Sequence, residues 1–292
     1  MALTLHGTVS DNTVALDRKT ATPLIINGDM AIWQRGASLS SDSGNYACDR
    51  FWYAGTGMTS QRSTDVPSGF IYSNKLTYGS ADMAIGQPIE LPATGKQGNL
   101  ISGQTLTVAF YGKVDSGTEG IGLAINFRNG KFDSTDQQAF TISDNAVTLT
   151  TSWQRFTKTF TIPTVHANNI MAAFEINGIS KTAYITGVQA EIGTFDINSI
   201  PDFQFEDRGT SLARCQRYFT KTLAALEGSS GGSGSKKVFW FFKQTMRATP
   251  TISFVNGAKD GDTFLTADGY GIYRTGDNSP NIGSGTTADA EL

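Results

Sequence analysis

Histidine and cysteine are nearly missing from this chain: of 292 residues, two are His and two are Cys. His6 and His166 leave a histidine-based catalytic triad only two possible bases, and neither stands in HExxH or another spacing that binds zinc on one element. His166, in the polar run IPTVHANN, reads as a solvated loop residue. Cys48 and Cys215 are too few for a disulfide scaffold or an all-cysteine zinc site, and they read as reduced, buried thiols. Charge is also scarce, 17% of residues against an average of about 25%, which excludes long salt-bridged helices, coiled coils and charge-rich tails. With 23 basic and 26 acidic residues the net charge is −3, so the electrostatic footprint of a nucleic-acid partner is missing. No run approaches the ~18 apolar residues of a membrane span, and the start lacks the basic and apolar stretches of a secretory signal. The expectation is a soluble protein made in a cytoplasm, without membrane insertion.

What the chain does contain is short runs alternating apolar and polar residues between Gly, Asn, Asp and Pro clusters, the pattern of half-buried antiparallel strands. In Thr105–Val114 (TLTVAFYGKV), Leu106, Val108 and Phe110 share one face; in Trp153–Ile162 (WQRFTKTFTI), Phe156, Phe160 and Ile162 do so. Gly122–Arg128, Val147–Thr150, Ile170–Ile176 and Lys181–Glu191 are further candidates. The fold class expected is all-β: a jelly-roll β-sandwich over residues 23–208 and a smaller C-terminal β domain over 209–292. Ser211–Leu226 has helix-like spacing, with Leu212, Cys215 and Phe219 on one face, although its later part can equally begin a strand. The Gly/Ser-rich stretch 227–237 reads as a flexible loop, and Val238–Phe242 (VFWFF) as a strand buried on both faces. Asn256-Gly257, Asp260-Gly261 and Asp268-Gly269 are tight-turn signals.

Residues 1–22 carry only two small apolar patches, Leu3 with Leu5 and Val14 with Leu16, too little for a core. They read either as a frayed terminus or as an arm that docks on a larger assembly. Two motif matches fail on context. Gly228–Gly232 (GSSGG) satisfies G-x-S-x-G but sits in linker-like sequence. Asp260 and Asp262 resemble the start of a calcium loop, yet Phe264 stands where a third oxygen ligand belongs. Carboxylate pairs able to cleave a glycosidic bond cannot be picked out from 26 acids.

Four phrases are more specific. Asn27–Gly36 reads NGDMAIWQRG, Tyr46–Tyr53 reads YACDRFWY, Gly187–Thr194 reads GVQAEIGT and Leu212–Phe219 reads LARCQRYF. In this order they resemble the fibre and receptor-binding proteins of tailed bacteriophages, and the ending TADAEL (Thr287–Leu292) echoes the same group. The resemblance spans most of Pro23 to Phe219. Its jelly roll is similar to carbohydrate-binding modules in which an early and a late acid hold a structural calcium; here those positions are Ala31 and Thr186-Gly187, so no metal and no cofactor are expected. Trp33, Trp52 and Tyr53 lie inside the opening phrases and read as core more than as a sugar platform. Arg35 and Arg50 flank them and can pair with acids at the end of the sandwich, and Trp153 reads as sealing a sheet edge.

The resemblance implies a non-enzymatic, homotrimeric virion fibre. Leu3, Leu5, Val14 and Leu16 would dock on other virion proteins. Phe264, Tyr270 and Tyr273, set among turns, would present rings to a host surface glycan or envelope receptor. A head or neck fibre of the same build and a polysaccharide depolymerase remain alternatives.

Overall fold

The computed structural model describes residues 23–40, 45–46, 48–80, 83–90, 103–128, 138–161, 171–222, 226–227, 235–254, 262–275 and 281–291. Leu3, Leu5, Val14 and Leu16, both histidines, Ile162, the GSSGG stretch and the Asn256-Gly257 and Asp260-Gly261 turns lie outside the described residues.

Among the described residues the chain is mostly β, with one short helix. Two six-stranded antiparallel sheets pack face to face. The first has the order β1 (Ser38–Ser40), β4 (Thr59–Ser63), β5 (Ser73–Thr77), β12 (Ala183–Ile192), β7 (Thr105–Val114), β10 (Gln154–Thr161). The second has the order β2 (Asn45–Tyr46), β3 (Trp52–Ala54), β6 (Met83–Glu90), β11 (Met171–Ile179), β8 (Glu119–Arg128), β9 (Gln138–Leu149). Period-two alternation puts Leu106, Val108, Phe110 and Phe160 of the first sheet against Tyr53, Ile85, Leu123 and Ile176 of the second in one buried core. Phe156 pairs in register with Phe110, their rings 5.5 Å apart, so the expected apolar face of β10 packs on that of β7. The sequence reading of Thr105–Val114 coincides with β7 at both ends.

Two close approaches explain glycines inside the recognisable phrases. Gly28 accepts a hydrogen bond from Val188 N at 2.9 Å, and a Cβ on Gly28 would lie 2.1 Å from the Val188 carbonyl oxygen. The opening and closing phrases therefore touch backbone to backbone. Gly187 sits at a register shift of β12 against β7 with φ +61°, and a Cβ there would strike the rings of Tyr111 and Phe70.

After β12 the chain runs back over the outside of the first sheet. Phe195 N donates to Thr107 Oγ1 at 3.0 Å, and Arg155 and Gln189 both donate to Pro201 O. Phe70, Tyr111, Phe203 and Phe205 cluster there at ring distances of 5.0–5.3 Å to Phe70. The helix α1 (Arg208–Gln216) starts at Asp207, whose carboxylate accepts the Gly209 and Thr210 N–H groups. Leu212 and Cys215 pack on Ile26 and Ile32, as the spacing predicted. The helix is shorter than the helix-like stretch: Phe219 falls in β13 (Phe219–Lys221), in line with the strand alternative for that segment.

The remaining strands form β13–β20 (Thr287–Asp289)–β16 (Thr251–Ser253), the pair β14 (Leu226–Glu227) with β19 (Asn281–Ile282), and β15 (Ser235–Phe241)–β18 (Gly269–Thr275)–β17 (Asp262–Leu265). Val238, Trp240, Phe242, Met246, Tyr270 and Ile272 make a second core. This corrects the reading of VFWFF as buried on both faces. Val238, Trp240 and Phe242 are buried, whereas Phe239 is 48% and Phe241 77% exposed, because the strand alternates and the second core lies on one side of it. Asp268-Gly269 closes the β17–β18 hairpin, with Thr266 N donating to Gly269 O.

Candidate functional site

The recognisable phrases converge on one buried junction. Asn27, with φ +60°, uses its amide both ways: Oδ1 accepts from Ile32 N at 2.8 Å, and Nδ2 donates to Ile32 O and Asp49 O. Trp33 Nε1 donates to Met30 O at 2.6 Å, and Trp52 and Tyr53 are buried, which gives all three rings structural places. Gln34 bridges Asp49 and the Phe219 carbonyl. Arg35 lies 3.6 Å above the Phe219 ring and reaches Asp289 and Glu291 at 3.3 and 3.4 Å. Arg50, fully buried at φ +70°, stacks 3.5 Å from the Tyr218 ring, donates to Pro88 O and is paired with Glu291. The two arginines meet acids at the end of the sandwich as the sequence suggested, and the acids come from the TADAEL ending.

Burial pushes the Asp49 carboxyl up to about 6, against the pull of Arg35 and the Gln34 hydrogen bonds. Burial also raises the thiols of Cys48 and Cys215 well above the ordinary thiol range, and neither is in a disulfide. Asn27, Asp49, Arg50 and the Glu291 side chain are buried here, and the junction joins the C-terminal strands to the sandwich.

Open chemistry lies on two sheet faces. On the first sheet, the cross-strand register aligns Gln61, Lys75, Tyr184 and Lys113 in a row over β4, β5, β12 and β7. At its end Trp153 meets Tyr184 edge to face at 6.4 Å, and its Nε1 donates to Asp65 Oδ1 at 2.9 Å. Lys113 pairs with Asp65 and holds its ammonium 4.9 Å from the Tyr184 ring centroid, with Lys75 at 5.8 Å. Burial alone would raise the Asp65 carboxyl, but hydrogen bonds from Lys113 and Trp153 hold it below its ordinary value. Trp153 therefore precedes edge strand β10 as expected, yet leans over the open sheet face. The sequence reading missed this row, although Tyr184 and Lys113 occupy the outward positions of their alternating strands.

The second face belongs to β15, β18 and β17. Of the three predicted tip residues, Phe264 is 59% exposed and Tyr273 half-buried beneath the Lys237 ammonium, both facing outward. Tyr270 is a correction: it is 4% exposed and packs edge to face on Phe254 inside the second core, because it has the opposite parity to Tyr273 along β18. Among the described residues, no group of three or more His, Cys, Asp or Glu side chains comes together as metal ligands would.

No protein-family model and no curated protein matches the chain. Among solved structures it has distant similarity to carbohydrate-binding modules and to a phage tailspike. The enzymatically active domain of bacteriophage CBA120 tailspike protein 4 is 16% identical at a TM-score of 0.38, over 58% of this chain but only 21% of that one. The CBM22-1 xylan-binding domain of Paenibacillus barcinonensis Xyn10C is 11% identical at a TM-score of 0.36, over 54% of this chain and 94% of that one. A putative sugar-binding protein of Bacteroides thetaiotaomicron is 13% identical at a TM-score of 0.36, covering 59% and 100%.

Proposed function

We propose that this chain is an adhesive fibre protein of a tailed-phage particle, carried at the virion surface by residues 1–22, which binds a host surface glycan and does not cleave it. The observation that carries the glycan reading is the row Gln61–Lys75–Tyr184–Lys113 with Trp153 at its end. A pyranose has an apolar face that stacks on aromatic rings and equatorial hydroxyls that need donors and acceptors, and this row supplies both. The Lys75 ammonium beside Tyr184 favours a glycan carrying carboxylates, while Lys113 is held by Asp65. The four phrases of the opening and closing segments support the fibre reading.

Purified host envelope polysaccharide, incubated with the full chain, tests it through sedimentation and reducing-end release. Binding without new reducing ends is expected, weakening as salt rises. Trp153→Ala and Tyr184→Ala should each lower affinity at least ~10-fold, about 1.4 kcal/mol, with the melting temperature little changed. Unchanged binding by both variants overturns the site, and reducing ends accumulating over many turnovers overturn the non-enzymatic reading in favour of a depolymerase. Antibody labelling of particles separates tail from head or neck attachment.

A further inference from the structure

Asp65, at the Trp153 end of the open row, is fixed through both its backbone and its side chain. Its N–H donates to Ser63 Oγ at 3.1 Å and its carbonyl accepts from Ser73 Oγ at 2.6 Å, and Ser63 and Ser73 are the paired ends of β4 and β5. Its carboxylate accepts from Trp153 Nε1 and pairs with Lys113, so the indole that would stack a sugar has a carboxylate bonded to it. Lys113, with its ammonium 5.7 Å from the Trp153 ring centroid, is neutralised by that pairing. Lys75 stands on the other side of Tyr184, and among the described residues no carboxylate pairs with it. One end of the row therefore carries a free positive charge, and the other a compensated pair with its negative member beside the stacking ring.

We propose that Asp65 sets which glycan this row takes: one with an acidic unit beside Lys75 and an uncharged unit on Trp153, hence a polymer that mixes acidic and neutral sugars and is not acidic at every unit. The inference rests on the row being the glycan site. From β5 across β12 and β7 to the start of β10 is three strand spacings of ~4.8 Å, or ~14 Å, room for about three linked pyranoses. A carboxylate on the unit over Trp153 would face Asp65 with Lys113 already paired, and at ~4 Å in water that repulsion weakens binding ~5-fold. The same carboxylate beside Lys75 strengthens binding by about as much. Selection against a charge at one end, by a fixed group of like sign, separates ligands that attraction at the other end alone would not. Asp65 is thus a positioning residue for Trp153 and the source of the row's charge preference.

Polygalacturonate whose carboxyl groups are reduced to alcohols in graded steps offers one backbone with acid on all, some or none of its units, and its binding to the full chain at low ionic strength tests the proposal. Wild-type affinity should peak at intermediate acid content, ~5-fold above both extremes. In Asp65→Asn, whose side-chain carbonyl can still accept from Trp153, affinity should rise steadily with acid content; in Lys75→Gln it should fall steadily. The melting temperature should move little in either. A wild-type affinity that only rises or only falls with acid content overturns the proposal, as does a peak that Asp65→Asn leaves in place. If no polymer of the series binds, or if Trp153→Ala and Tyr184→Ala bind all of them as the wild type does, the row is not the glycan site and both readings fall. If those two variants lose binding while the Asp65 and Lys75 variants keep the wild-type peak, the charge preference alone falls.

Discussion

Gly28 shows how much one missing methyl can matter. Its φ is ordinary, so conformational freedom is not the reason for glycine; the Val188 carbonyl is. Gly28→Ala must push β12 away from the opening segment and lose the Val188 N hydrogen bond, and should cost about 3 kcal/mol in urea denaturation. Asp49 makes a different claim. Its folded pKa of about 6 is raised above the unfolded value of 3.8, so its contribution is present in full below pH ~4 and is lost as pH rises through 6. Relative to Asp49→Asn, the wild type should therefore lose about 2–3 kcal/mol of stability between pH 4 and 7, read from paired melting curves. A pH-independent difference would show that Arg35 offsets the burial. Neither residue announces its role in the sequence, since a two-residue Asn-Gly or Asp-Arg signal says nothing about what packs against it.

At the scale of elements, alternation was the reliable signal and its limits are specific. β7 was legible to the residue because its large apolar side chains alternate with polar or small ones, even though the returning chain also buries Thr107 and Ala109 on its outer side. VFWFF was misread because an unbroken apolar run erases the alternation, so the pattern does not tell the buried Val238, Trp240 and Phe242 from the exposed Phe239 and Phe241. Tyr270 and Tyr273 were grouped because both lie among turns; once TFLTADGYGIY forms a hairpin, the parity of the strand sends them to opposite sides. The helix was legible from Leu212 and Cys215, and its end was not, because nothing local marks where β20 offers Phe219 a pairing partner.

For the whole molecule, the junction decides whether sandwich and C-terminal strands unfold together. Glu291 follows β20 and is buried against Arg50, so Glu291→Ala strands a guanidinium in the interior and should cost about 3–5 kcal/mol in thermal or urea denaturation. A loss under 1 kcal/mol would mean that Arg50 is held by Tyr218 and Pro88 alone. The residue pattern was enough to establish a mostly β chain and its longer strands, because composition and period-two alternation are local properties. It could not say that Asn27, Asp49, Arg50, Tyr218 and Glu291 share one buried cluster, that Tyr184, Lys113 and Trp153 share one open face, or that three phenylalanines ring two glycines. Those groupings rest on pairings such as Phe239 with Gly271, Lys113 with Tyr184 and Arg50 with Glu291, and long-range register depends on how whole sheets close over a common core.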